Sequence, residues 1–363
     1  MQTKTFGRFF LPGPTEVRPE ILETMMQPMI GHRVREMEDL MGRIQPALKY
    51  VFRTERPVYV AASSATGFME GAVRNGVRRR VLCLVNGAFS ERFYKIAAST
   101  GIEADALEVE WGDVNTPHAL HKALRRGIYD AVTVVHSETS TGVLNPIKEL
   151  AEVTRSAGDV VLLVDTVSSM AGCEIDCDAW GLDFVLTGSQ KSFALPPGLA
   201  FGCAQPNLLE RAKNKTDRGI YFDFVEFEKN LQKNQTPNTP AVSLMYALAA
   251  QLESIREETI EGRWARHAAM AERTYRWVEE MGERGVKLEV LAPEAYRSPT
   301  VTTIKSPEGW TGSRITAECK ARGFVIATGY GKLKDETFRI GHMGDHTVEE
   351  LEELLDVISE VLA

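Results

Sequence analysis

The chain is poor in the features that mark several broad protein classes. It holds five cysteines, Cys83, Cys173, Cys177, Cys203 and Cys319, an odd number with no CxxC pair. That leaves no basis for a disulfide framework and fits a reducing compartment, the cytoplasm by default. Lys4 and Arg8 break the short apolar stretch at the N-terminus, so residues 1–11 do not read as a secretory signal. No run of about eighteen apolar residues occurs, so no membrane span is expected. Basic charge is also short: the formal net charge is -8, and the one tight basic run is Arg78, Arg79 and Arg80. That run lies between a helical stretch and an apolar one and reads as a solvated helix end. No nucleic-acid partner is expected. Neither GxxxxGK[ST] nor a GxGxxG after a strand is present, which disfavours a P-loop or dinucleotide site.

What is present is an ordinary globular composition, 44% hydrophobic and 25% charged, in 363 residues, enough for about two domains. In the first half short β-rich runs (58–62, 81–85, 106–111, 131–136, 160–164, 184–187) alternate with helix-like stretches (67–77, 91–99, 117–124, 146–157). This alternation predicts an α/β fold with a mainly parallel sheet covered on both faces. After about residue 205 the pattern changes. TPNTP at 236–240 is a stiff turn, 241–258 and 263–283 predict long helices, and 286–291, 301–304, 325–327 and 338–340 predict strands of a smaller α+β unit. A closing amphipathic helix covers 348–361. The expected organisation is a large domain over 29–260, a small domain over 261–363, and an N-terminal segment, 1–28, joining the small one. The boundary is placed near residue 260, within a long connecting helix.

Four features fall where ligands bind in open α/β sheets, at or beyond strand ends, or in the small unit. Lys191 follows a strand in Gly188-Ser189-Gln190-Lys191, with an apolar, rigid flank through Gly198. Desolvation there would lower its pKa and free a lone pair for imine chemistry, although most lysines are solvated surface charges. Asp165 ends the apolar run Val161-Leu162-Leu163-Val164. It either caps the next segment or pairs with a buried cation such as a pyridinium nitrogen. Ser63-Ser64-Ala65-Thr66-Gly67 opens a helix, either as a plain N-cap or as a set of phosphate donors. Arg339 sits inside Phe338-Arg339-Ile340-Gly341, where it needs an ion pair with protein or the carboxylate of a ligand. Together these meet the needs of pyridoxal phosphate and an amino-acid substrate.

With these segments in view the chain resembles the class V aminotransferases, the alanine– and serine–glyoxylate group within the fold-type I pyridoxal-phosphate enzymes. The resemblance runs from Leu11-Pro12-Gly13-Pro14-Thr15 through His136-Ser137-Glu138-Thr139-Ser140-Thr141-Gly142, Val164-Asp165-Thr166-Val167-Ser168-Ser169 and Gly188-Ser189-Gln190-Lys191 to Phe338-Arg339-Ile340-Gly341. It implies that Lys191 forms the Schiff base with pyridoxal 5′-phosphate and shuttles the proton, and that Asp165 pairs with the ring nitrogen. It further implies that Ser64, Ala65, Thr66 and Gln190 cradle the phosphate, that Phe89 stacks on the ring, and that Thr139 lies near the ring hydroxyl. Arg339 and Gly13 would meet the substrate. Gln235 and Thr236 would reach the phosphate of a partner subunit, so a homodimer is implied.

The implied reaction moves an amino group from alanine or serine to glyoxylate or pyruvate. His32-Arg33 leaves a second reading open, since some phosphoserine aminotransferases carry a similar pair for the substrate phosphate. In the alternative the pair only shapes the cleft entrance. A lyase on the same fold and a non-catalytic cofactor-binding protein are the other rivals. No metal is expected: His342 and His346 lack further ligands, and Gly344 argues against a helix between them. Cys319 falls in a helical stretch, which disfavours desulfurase chemistry.

Overall fold

The computed structural model describes residues 6–363. The first eight strands are β1 (Val58–Ala61), β2 (Arg80–Val85), β3 (Glu103–Glu108), β4 (Ala131–Val135), β5 (Ser137–Glu138), β6 (Val143–Leu144), β7 (Val161–Asp165) and β8 (Phe184–Gly188). The rest are β9 (Ala200–Ala204), β10 (Glu289–Val290), β11 (Val301–Lys305), β12 (Ala327–Thr328) and β13 (Thr337–Gly341).

Seven of them form the main sheet, in the order β1-β9-β8-β7-β4-β2-β3. All pairings are parallel except those of β9, which runs against both β1 and β8. Every residue of β4, β7, β8 and β9 is buried. Successive side chains point to opposite faces, so both faces of the sheet are covered. A second sheet, β10-β11-β13-β12, is antiparallel. Its apolar side chains pack with the helices Ile260–Glu283, Gly312–Ala321 and Val348–Leu362 in a second hydrophobic cluster around Trp277, Ile304, Phe338 and Leu354.

The mainly parallel α/β architecture read from the sequence is present, with local differences. The strand placed at 106–111 lies three residues earlier, at Glu103–Glu108. It is an edge strand, only half-buried, so its polar first half can face solvent. The strand placed at 286–291 shrinks to Glu289–Val290. Helices at Arg35–Phe52, Pro206–Lys213 and Phe224–Leu231, and the strand β9, went unread. The stretch near residue 260 is no continuous connecting helix. One helix ends at Glu258, Thr259 takes a φ of 66°, and a new helix starts at Ile260 with the Thr259 side chain accepting from Gly262 N–H.

The N-terminal segment ties the two sheets together. Phe10 N–H donates to Val325 O, Val325 N–H to Arg8 O and Gly341 N–H to Phe10 O, and the Phe10 ring joins the second cluster. Residues 12–15 then cross to the main sheet, where Ile21 enters the first cluster. Such a crossing places backbone between the sheets at the point where the cavity opens.

Candidate active site

A cavity of about 470 Å³ opens at the carboxyl ends of the parallel strands. Gly13, Ser64, Ala65, Thr66, Phe89, Thr139, Asp165, Gln190 and Lys191 all line it. Each comes from a strand end, the loop beyond it or the first turn of the helix that follows, except Gly13, which the N-terminal strap supplies. Strand-end convergence of this kind is the normal way an open α/β sheet builds a site.

Lys191 lies in the turn after β8 and is 7% exposed. Its Nζ donates to the carbonyl of Pro12. Burial first, then the Arg339 guanidinium, lowers its pKa to about 7, with Asp165 acting in the opposite direction. Gly13 makes room for this side chain: a Cβ at Gly13 would lie 2.3 Å from Nζ, and its φ of +103° is one that glycine adopts freely.

Asp165 ends β7 between β4 and β8 and is 2% exposed. One carboxylate oxygen accepts from Val167 N–H at 2.7 Å, the local capping bond foreseen as one alternative. The other oxygen has no protein partner among the described residues. Burial raises its pKa to about 7 against that bond and against Lys191. A cation brought to this carboxylate would return it to the ionised state.

Ser64 is the N-cap of the helix Ala65–Gly76 but makes no side-chain cap bond. The plain capping reading is therefore not realised, and its hydroxyl, with the first N–H groups of the helix, stays open to an anion. Thr139 shares a hydrogen bond with Ser168 (2.6 Å), while its carbonyl accepts from Arg339 Nη1 at 3.0 Å. Arg339 also donates from Nε to Thr328 O at 2.9 Å. It makes no ion pair among the described residues, so the first explanation for a buried arginine fails. Burial brings its pKa down to about 10. A guanidinium bonded only to carbonyls keeps part of its fork for a carboxylate.

Phe89 opens the helix Ala88–Ser99 on a rigid base that sequence reasoning missed. Glu138 is fully buried, and its carboxylate accepts from Phe89 N–H, Ser90 N–H, Ser90 Oγ, Ser140 N–H and Ser140 Oγ. A negative group at a helix N-terminus complements the unpaired N–H groups there. Arg92 and Tyr330 were missed as well. Both line the cavity, joined by a hydrogen bond of 3.2 Å, with the Tyr330 ring 5.3 Å from Phe89. They lie 238 residues apart, and no sequence spacing announces such a pair.

Arg339 is not among the residues that line the cavity; it sits behind Thr139 and Tyr330, which do. Four further predicted residues stand away from the cavity within one chain. Arg33 donates to Thr236 O (2.7 Å), Pro237 O (3.0 Å) and Gln235 Oε1 (3.4 Å), and Gln235 Nε2 donates to Glu38. His32 is half-buried beside them. All five cysteines are buried and unpaired, and burial pushes Cys319, inside the helix Gly312–Ala321, up to about 12. Such a thiol is not a nucleophile. His342 and His346 turn to Thr274 and to Phe9 O, and no metal-binding cluster occurs among the described residues.

A family model for class-V aminotransferases matches residues 77–352. The chain belongs to the class V aminotransferases. As such it is similar to an uncharacterized aminotransferase of Methanocaldococcus jannaschii, 42% identical over 92% of this chain and 87% of the relative. It is also similar to a serine–glyoxylate aminotransferase of Methylorubrum extorquens, 33% identical over 94% and 88%. Among solved structures, an aspartate aminotransferase of Thermus thermophilus superposes with a TM-score of 0.90 at 32% identity, covering 98% of this aminotransferase and all of that chain.

Proposed function

We propose that this aminotransferase carries pyridoxal 5′-phosphate on Lys191 and moves an amino group from a small amino acid, alanine or serine, to glyoxylate or pyruvate. The observation that carries the reading is the buried amine–carboxyl pair, Lys191 and Asp165, each with a pKa near 7 in one cavity. An amine in that range offers a lone pair at neutral pH.

The donor set fits the cofactor. Ser64 and the first turn of its helix suit a phosphate, with Ala65, Thr66 and Gln190 beside them. Phe89 offers a flat face, Thr139 would face the ring hydroxyl, and the free oxygen of Asp165 suits a protonated ring nitrogen. When bound, the cofactor supplies an electron sink for the charge that develops at the substrate Cα. The protein does the rest. Asp165 would hold a proton on the ring nitrogen. Arg339 would receive the substrate carboxylate, with Gly13 at the cavity wall. The Lys191 amine would take the substrate Cα proton and return it. Phe89 and Tyr330 keep water from the charged centre.

Gln235 and Thr236 are assigned to the phosphate of a second subunit, with the His32-Arg33 pair at the cleft entrance. Met26 and Met29, 77% and 69% exposed, lie in the segment before them. Apolar exposure of that size supports an interface, here of a homodimer. The compartment proposed is the cytoplasm, which suits five unpaired cysteines.

Two measurements test this reading. Borohydride reduction of the purified protein followed by peptide mass spectrometry should find the cofactor adduct on Lys191, and none in Lys191→Ala. Donor half-reactions with alanine, serine, aspartate and phosphoserine identify the donor, and the return half-reactions with glyoxylate and pyruvate identify the acceptor. Phosphoserine as the one efficient donor would end the small-donor reading.

A further inference from the structure

Three consecutive carbonyls of the lysine-bearing turn are held from outside it. Thr15 donates from its N–H to Gln190 O at 3.0 Å and from its hydroxyl to Lys191 O at 3.1 Å. Arg263 donates to Ser192 O from Nη2 at 2.7 Å and from Nε at 3.2 Å. The first hold belongs to the N-terminal strap, the second to the helix Ile260–Glu283. Both meet at one carboxylate. Asp345 takes Arg18 Nε on one oxygen at 2.8 Å and Arg263 Nη2 on the other at 2.8 Å. Gln251 Nε2 donates to both oxygens, at 3.0 and 3.1 Å.

The knot is dry. Arg263 is 1% exposed and shares its third nitrogen with Glu258 at 2.9 Å. Burial alone would raise the Asp345 carboxyl, but Arg263 and Arg18 outweigh it and hold it below the usual range. Removing one member of such a network leaves charge buried without its partner, so each member constrains the others.

We propose that Asp345 is a positioning residue for Lys191: by tying Arg18 to Arg263 it locks the strap to the lysine turn and so sets how tightly the amine is enclosed. This rests on the reading of Lys191 as the reacting amine. The charged groups that act on that amine are Arg339, Asp165 and Arg92, and Asp345 is not one of them. Its influence therefore runs through backbone placement.

The test uses full-length Arg18→Ala and Asp345→Asn. Arg18 lies at the solvent edge, with its side chain 29% exposed, so its variant is readable whether or not Asp345→Asn folds. Competitive acetylation of the cofactor-free chain, read by mass spectrometry, gives the pH midpoint of the Lys191 amine. The native midpoint is expected near 7. With the lock broken, water reaches the amine and the midpoint should rise by about one unit, a roughly fivefold loss of free amine at neutral pH. The kcat should fall about tenfold or more, with KM for the acceptor within about threefold. Arg18→Lys should restore most of both.

A native midpoint and native kcat in the variants overturn the proposal. So does a lower melting temperature with the midpoint unchanged, which would make the knot scaffold alone. If borohydride trapping finds no adduct on Lys191, the parent reading fails, while the acetylation midpoint still reports on the lock.

Discussion

Replacing Lys191 by methionine is expected to stabilise the cofactor-free protein. The amine is 7% exposed, and its pKa stands at about 7 against an ordinary 10.5. A lysine whose folded pKa lies below its unfolded one costs stability, because the unfolded chain holds a proton that the fold disfavours. The cost is full below pH 7, shrinks as the pH rises from 7 to 10.5, and vanishes above that. At roughly 1.4 kcal/mol per unit the gap comes to about 4–5 kcal/mol, an upper bound. Methionine keeps the length and is at ease in an apolar site. Loss of the bond to Pro12 O gives back about 1 kcal/mol, and Asp165 loses a favourable neighbour. A net gain of about 2–3 kcal/mol at pH 6 remains. Urea unfolding of both cofactor-free proteins at pH 6, 8 and 10 measures it. The variant should have the higher midpoint at pH 6, with the advantage shrinking by pH 10. A variant no more stable at pH 6, or an advantage that ignores pH, would refute the reasoning.

Gly13→Ala places a methyl 2.3 Å from the amine at a φ of +103°. The fold should survive with a cost of about 1–2 kcal/mol, while steady-state kinetics should show kcat down about 100-fold. Asp165→Asn keeps an acceptor for Val167 N–H but no charge for a ring cation, so single-turnover rates should drop about 100- to 1000-fold with little change in melting temperature. Arg339→Lys loses the planar fork, and kcat/KM should fall about 10- to 100-fold for donor and oxo acid alike, with cofactor retention unchanged by absorbance.

The main sheet was legible because its central strands are apolar runs, such as Val161-Leu162-Leu163-Val164, buried on both faces. β9 escaped because Ala200-Phe201-Gly202-Cys203-Ala204 is built of small residues apart from Phe201, and Gly202 leaves the space that Phe184 and Phe68 fill. The helix Arg35–Phe52 carries Pro46 inside it, which breaks the usual pattern. At the site, Asp165 and Lys191 stood out because each is a charge against apolar flanks. Glu138 carried no local signal of its role, since its carboxylate is held partly by Phe89 and Ser90, which arrive from a distant stretch. Arg92 and Tyr330 meet only through the crossing of the two sheets. Pairs made by tertiary structure leave no local trace.

The five donors around Glu138 have one more consequence. They fix the backbone at Phe89 from below, and Gly87 leaves no slack there, since a Cβ would sit 2.4 Å from that carboxylate. The aromatic platform is therefore rigid before any ligand arrives. A planar guest landing on it gives up its own freedom but demands none from the host, so the entropy of shaping the slot is settled during folding. Tight retention of a flat heterocycle then needs few direct contacts.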